Sequence, residues 1–357
     1  MKPTRTSRSQ RLLKILSAYE RVLIVTHDNP DPDGIAAGWA ITWLVREKLG
    51  KEARLIGGGD IVRAENRHMV KLLRPPIELV RDVEVVPATA VVLVDCGLGS
   101  QNHLFKGNGM LPVAVVDHHQ AIRYKRRLPF KDVRSQVAAA ASIAASYLRE
   151  QRLVPSRELA TAILYAIRTE TRGCETFYSR LDRSVLRWST ERAEPSWLAE
   201  IEDAPLTPEY YGDLVLALQS TLLYGDTALC LLPRAQGAEI SGEVADLLIR
   251  CQAIRRVLCG AVVDKDLVLS VRTERGGQDA AELVRVTLEG IGQGGGHRHR
   301  AGGKIPGGGR RESLADVFRD ELRNRWLAAC GADPASRTHL VARREIVENL
   351  YTKRNLE

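Results

Sequence analysis

The sequence has no apolar run long enough to cross a bilayer and no apolar core near its start, so a soluble cytoplasmic protein with no membrane partner is expected. Its six cysteines, Cys96, Cys174, Cys230, Cys251, Cys259 and Cys330, form no Cys-x-x-Cys pair and no framework spacing. They read as reduced, buried thiols rather than as a disulfide scaffold. Large aromatics are scarce, and five tryptophans with four phenylalanines offer few platforms for stacking the bases of a long single strand. Residues 2–14 lack any acid, as transit peptides do. Residues 11–19 nevertheless lead directly into the first strand and read as an amphipathic first helix. No internal repeat is evident.

What the chain does have is size and positive charge. Its 357 residues, 44% of them hydrophobic, suffice for two ordinary domains, each with its own core. A formal charge of +8 and a pI near 9.3 suit an anionic partner, either a phosphorylated small molecule or nucleic acid.

Three short apolar runs end in the same kind of residue. Residues 21–26 (Arg-Val-Leu-Ile-Val-Thr) lead into His-Asp-Asn-Pro-Asp-Pro-Asp at 27–33, residues 90–94 lead into Asp95, and residues 114–116 lead into Asp117, His118 and His119. Each run reads as a buried strand delivering its ligands to a carboxyl edge. In a parallel α/β sheet such edges converge on one crevice, which would gather His27, Asp31, Asp33, Asp95, His118 and His119. Imidazoles and carboxylates without thiolates suit hard or borderline divalent ions, with manganese as the first choice. Cys96 follows Asp95 directly, but alternation along a strand turns it to the other side.

These motifs resemble those of the DHH phosphoesterases, whose Asp-His-His triplet is matched by Asp117, His118 and His119, and especially the oligoribonuclease and pAp phosphatase branch. The resemblance extends over most of the chain, because residues 294–302 (Gly-Gly-Gly-His-Arg-His-Arg-Ala-Gly) look like the glycine-rich signature of the family's C-terminal associated domain. It implies that His27, Asp31, Asp33, Asp95 and His118 are ligands of two Mn2+ ions, with Mg2+ or Co2+ as substitutes. Asp117 and His119 would be catalytic, His119 facing the phosphate as donor or general acid. The family's fourth motif normally supplies an aspartate where this chain has Glu170, whose longer arm can still reach a metal. In the glycine loop, backbone amides of Gly295 and Gly296 have room to approach an anion, and His297, Arg298 and Arg300 add donors and charge. By resemblance this loop closes over the crevice and holds the nucleotide or terminal phosphate.

The expected fold is α/β in two domains. An N-terminal, mainly parallel sheet with helices on both faces spans residues 1–190, a connector with helical pieces 191–215, and a smaller α/β domain with a mixed sheet 216–330. A charged tail, 331–357, follows. Helices are predicted over 62–73, 137–148, 158–168, 242–255, 280–291 and 312–329, and second-domain strands over 227–232, 257–263 and 267–272. His68 is assigned to the solvated face of its helix, and the cations of residues 123–127 to a turn near the crevice.

The function expected from this resemblance is two-metal hydrolysis of short oligonucleotides or small nucleotides such as pAp. A cyclic or linear dinucleotide phosphodiesterase is the near alternative, and a nucleotide-binding sensor with little catalysis is the alternative that Glu170 raises. The reading allows a homodimer.

Overall fold

The computed structural model describes residues 6–97, 99, 102–105, 111–119, 127–171, 178–233, 235, 237, 239–296, 298–308 and 316–341. The chain divides into two compact units, Met1–Pro205 and Leu206–Glu357. The first unit runs α1 (Arg8–Leu16), β1 (Arg21–Val25), α2 (Pro32–Leu49), β2 (Glu52–Gly57), α3 (Ala64–Leu73), β3 (Ile77–Leu79), β4 (Thr89–Val94), β5 (Ala114–Asp117), β6 (Phe130–Val133), α4 (Ala140–Glu150), α5 (Arg157–Glu170), α6 (Arg180–Thr190) and α7 (Pro195–Glu202).

Its sheet has the order β3-β2-β1-β4-β5-β6, and every pairing is parallel. Strand order reverses at β1, which has β2 on one side and β4 on the other, so a crevice opens beyond the carboxyl ends of β1 and β4. Side-chain alternation divides the central strands between two cores. Val22, Ile24, Val92, Val94, Ala114 and Val116 join α2, α4 and α5 in the larger core. Leu23, Val25, Val91, Leu93 and Val115 pack on the other face with Cys96 and Phe105.

Local sequence explains where the crevice's first helix begins. Asp31 is the N-cap of α2 and Pro32 its first residue, while Gly50 ends it at φ 61°. Gly34 must be glycine, since a Cβ there would come within 2.3 Å of Thr26 Oγ1 and 3.3 Å of His27 Nε2. His68 departs from expectation. Its Nε2 lies 2.8 Å from Glu200 Oε1 and only 18% of its side chain is exposed, so it links α3 to α7. The neutral or charged imidazole gains a carboxylate partner there that the helical pattern alone did not reveal.

The second unit runs α8 (Pro208–Ser220), β7 (Leu222–Tyr224), β8 (Thr227–Leu232), α9 (Glu239–Leu248), β9 (Arg256–Val263), β10 (Asp266–Thr273), α10 (Ala280–Thr287), β11 (Gln293–Gly296), β12 (Arg300–Ile305), α11 (Asp316–Cys330) and β13 (Arg337–His339). Its sheet, ordered β11-β12-β10-β9-β8-β7-β13, is mixed: β8 and β9 are parallel and the remaining pairs antiparallel. Residues of α10 and α11 pack on one face, and residues of α8 and α9 on the other.

Three expectations for this unit change. Helix α9 stops at Leu248, because residues 249–255 turn to bring Ile254 into the core. The tail contributes β13, which pairs with β7. The predicted glycine loop is a hairpin, with Gly294, Gly295 and Gly296 of β11 opposite Gly303, Gly302 and Ala301 of β12. His297 at its tip, and residues 123–126 of the cation tract, lie outside the described residues.

One buried carboxylate ties the first unit's N-terminus to its sheet. Asp132, 0% exposed, accepts hydrogen bonds from Arg8, from Arg134 through two nitrogens and from the Tyr147 hydroxyl. Asp132→Ala would leave the buried Tyr147 hydroxyl and the partly buried Arg134 without their acceptor, and is expected to lower the unfolding free energy by about 3–5 kcal/mol. Arg8→Ala, at a side chain half exposed, should cost much less; urea denaturation of both variants measures the difference.

Candidate metal centre

The crevice at the carboxyl ends of β1, β4 and β5 collects the predicted ligands of the first unit. Asp95 is the residue they share. It follows β4 in the left-handed region, φ 58°, a conformation that Asp and Asn tolerate better than other side chains except Gly. Its carboxylate is 3% exposed and points its two oxygens in different directions. Oδ2 lies 3.5 Å from His27 Nε2. Oδ1 lies 3.3 Å from His118 Nε2 and 3.7 Å from His119 Nδ1. Among the described residues, that buried Oδ1 receives no geometrically sound hydrogen bond.

Each of the first two imidazoles is oriented by a backbone carbonyl. His27 Nδ1 lies 2.9 Å from the carbonyl oxygen of Asp28, and His118 Nδ1 lies 3.3 Å from that of Val137. Such contacts place the proton on Nδ1 and turn Nε2 toward the acids, the arrangement a metal-binding imidazole needs. His27 Nε2 is also 3.6 Å from Asp31 Oδ1, and His118 Nε2 is 3.5 Å from Asp33 Oδ2.

Two carboxylates sit at helix N-termini. Asp31 Oδ1 accepts from the amides of Asp33 at 2.9 Å and Gly34 at 3.0 Å, the first turn of its own helix. Asp33 reaches across to α4, whose own N-cap, Ala139, makes no side-chain cap. Asp33 Oδ2 and Oδ1 accept from Ala140 and Ala141 N–H, both at 2.7 Å. Asp33 is therefore a remote cap for α4, and the positive ends of two helices face the centre.

The third imidazole belongs to a different pair. Asp117 Oδ1 accepts from the amides of His118 and His119 and from His119 Nδ1 at 2.8 Å. The His119 side chain is 45% exposed, against 6% for His118. Glu170 ends α5, half-buried, close enough that its charge raises the pKa values of Asp33 and His118.

The electrostatics of the cluster favour a cation as partner. Burial would raise the Asp95 carboxyl, but His118 and His27 hold it far below the usual carboxylate range. Burial, then the Asp95 charge, pushes the Asp33 carboxyl well up. Burial would lower His27 and His118, yet Asp31 and Asp95 hold the first well above an ordinary imidazole, and Asp95 with Asp33 and Glu170 the second. Imidazoles beside buried carboxylates are a donor set that suits a divalent metal.

Among the described residues, two groups of donor atoms lie within 4.8 Å of one another: His27, Asp31 and Asp95; and Asp95, His118 and His119. The structure thus brings together His27, Asp31, Asp33, Asp95, Asp117, His118 and His119, with Glu170 at the margin and outside both groups. The carbonyls of Asp28 and Val137 and the amides of Ala140 and Ala141 were not foreseen, because backbone groups leave no mark in residue type. Asn29 was overlooked although its surroundings hint at it. At φ 54°, it donates its amide to the Gly58 carbonyl and accepts from the Asp60 amide. The residues 57–59, all glycine, are what let the two loops approach so closely. Cys96 stays apart, its thiol pushed up by burial and by the Asp95 charge.

In the second unit, Gly295 leaves open space where a Cβ would stand, whereas a Cβ on Gly296, at φ 145°, would meet Arg300 O and Ala301 Cα at 2.6 Å. Arg298 is exposed. Arg300 is already engaged by Asp246 at 3.2 Å, which also holds the buried Arg272 at 2.6 Å.

Residues 21–167 match the DHH family, N-terminal domain. An uncharacterized protein of Methanocaldococcus jannaschii is 28% identical over 87% of the chain, which spans 64% of that relative's length. Among solved structures, an exopolyphosphatase-related protein from Bacteroides fragilis is similar with a TM-score of 0.67 at 14% identity, covering 92% of this chain and 99% of that one. RecJ from Thermus thermophilus, solved in complex with Mn2+, is similar with a TM-score of 0.51 at 15% identity, over 92% of this chain and 56% of that one.

A cation that relieves this cluster must stabilise the fold. At 100 times its dissociation constant, Mn2+ is expected to add about 2.7 kcal/mol to stability, read as a rise in melting temperature that a chelator reverses. Asp95→Asn should remove most of that rise; an equal rise in the variant would take Asp95 out of the site.

Proposed function

We propose that this protein, whose residues 21–167 match the DHH family N-terminal domain, is a metal-dependent phosphoesterase that hydrolyses short oligonucleotides or small nucleotides such as pAp. The observation that carries the proposal is the sharing of Asp95, whose two oxygens serve two different groups of donors. That arrangement suits a pair of divalent cations. His27, Asp31 and Asp95 Oδ2 would hold one; Asp95 Oδ1, His118, Asp33 and Glu170 would hold the other. Such a pair supplies electrostatic stabilisation to a phosphoryl group under in-line attack. Manganese is the first metal to test, the ion with which the similar RecJ was solved.

The chain's own residues carry the remaining roles. Asp117 fixes His119 through Nδ1, which assigns proton donation to Nε2 on an imidazole exposed enough to meet substrate. The amides of Gly295 and Gly296, with Arg298 and His297, are proposed to take the nucleotide or terminal phosphate. Arg300, paired with Asp246, is proposed to act there with its charge already partly balanced. The positive formal charge of the chain favours the approach of such anions.

A hydrolysis panel with manganese, comparing pAp, di- to pentanucleotides, cyclic dinucleotides and pyrophosphate, tests the proposal. Hydrolysis of pAp or the short oligonucleotides is expected, together with a loss of at least a hundredfold in Asp95→Ala, Asp117→Ala and His118→Ala. Turnover confined to pyrophosphate, or wild-type turnover in a folded, metal-loaded variant, would overturn it. Glu170 is tested by metal counting: Glu170→Ala should lose one Mn2+ or bind it far more weakly, and Glu170→Asp should keep both because the oxygen ligand remains. Two tightly held ions and full turnover in Glu170→Ala would remove it from the ligand set. Negligible turnover by the natural protein, rising in Glu170→Asp, would favour a nucleotide sensor.

A further inference from the structure

The segment between β6 and α4 touches two of the proposed ligands and is itself held by a residue outside the site. Val137 supplies the carbonyl that meets His118 Nδ1 at 3.3 Å. Ala140 and Ala141 supply the amides that meet both oxygens of Asp33 at 2.7 Å. Between these contacts stands Ala138, whose amide donates to Asp182 Oδ2 at 3.0 Å. The other end of the segment is fixed as well, since the Arg134 amide donates to the carbonyl of Asp117.

Asp182 is 0% exposed and sits in the first turn of α6. Its Oδ2 also accepts from the Ser179 amide and hydroxyl, both at 2.7 Å, while the Ser179 hydroxyl accepts from the Asp182 amide at 3.2 Å. This is a capping box, and capping α6 would be a sufficient role for an exposed aspartate. Capping alone does not account for full burial of a carboxylate whose Oδ1 has no hydrogen-bond partner among the described residues, a costly placement unless the third contact is needed.

We infer that Asp182 is a positioning residue for the metal centre: by holding Ala138 it fixes the 137–141 segment, and through it the His118 ring and the Asp33 carboxylate. The inference rests on the metal-centre reading for its function but not for its geometry. Residues that orient metal ligands from behind typically change affinity or activity 10–100-fold when removed. Asp182→Asn keeps an acceptor oxygen for Ala138, so it should behave like the natural protein, whereas Asp182→Ala removes it.

Amide hydrogen exchange and Mn2+ titration of the full chain test this together, with Leu12→Ala, a buried truncation in α1, as the control for general destabilisation. In Asp182→Ala, exchange at Ala140 and Ala141 should accelerate about tenfold or more beyond the control, and Mn2+ affinity should fall about 10–100-fold. Asp182→Asn should restore both. Asp182→Ser, too short to reach Ala138 but polar, serves if the alanine variant does not fold. Exchange at Ala140 and Ala141 no faster than in Leu12→Ala, or an equal loss of Mn2+ affinity in Leu12→Ala, would overturn the inference. If the natural protein binds no Mn2+, the metal-centre reading fails, and the exchange result alone still decides whether Asp182 holds the segment.

Discussion

The constraint on which the first unit is built is a carboxylate removed from water among imidazoles. Asp95 is 3% exposed, and three histidine rings approach its oxygens. Burying that charge is costly unless it is paired and hydrogen-bonded. The fold meets the cost by ending β1, β4 and β5 at one edge, so that the opposing charges arrive from neighbouring strands. A parallel sheet whose order reverses at β1 is what makes this edge concave.

Most of the remaining polar contacts at the centre come from the main chain. Carbonyls of Asp28 and Val137 orient the imidazoles, and amides at the starts of α2 and α4 hold Asp31 and Asp33. Helix N-termini carry partial positive charge, so they stabilise the acids without adding a side chain that could itself bind metal or block substrate. The same economy appears in the second unit, where the glycines of β11 keep the backbone accessible at Gly295.

The strand ends and the Asp and His residues gathered beyond them were legible because the apolar runs are short, continuous and followed at once by Asp or His. The two-unit α/β architecture, with a parallel sheet and a mixed one, was legible for the same reason, since runs of strand and helical periodicity alternate along the chain. Remote capping was not. Ala139, Ala140 and Ala141 form an alanine-rich stretch with no sign that Asp33, over a hundred residues earlier, closes its N-terminus. His68 was misjudged because its partner Glu200 lies on another helix far along the chain. The glycine signature reads as a loop in the sequence because the pairing of Gly294, Gly295 and Gly296 with β12 depends on partners that composition does not reveal.

The left-handed turn at Asp95 sets a backbone condition on its residue type that Glu170, at the margin of the centre, does not share. Position 95 combines a positive φ with a buried carboxylate that is proposed to hold metal. Glycine or asparagine would accept the backbone but forfeit the charge; glutamate would keep the charge, but its longer side chain lacks the local backbone bonding that eases Asp into this conformation. Glu170, at the end of a right-handed helix, meets no such condition. Exchange between the two acidic residue types is therefore conformationally open at 170 and disfavoured at 95.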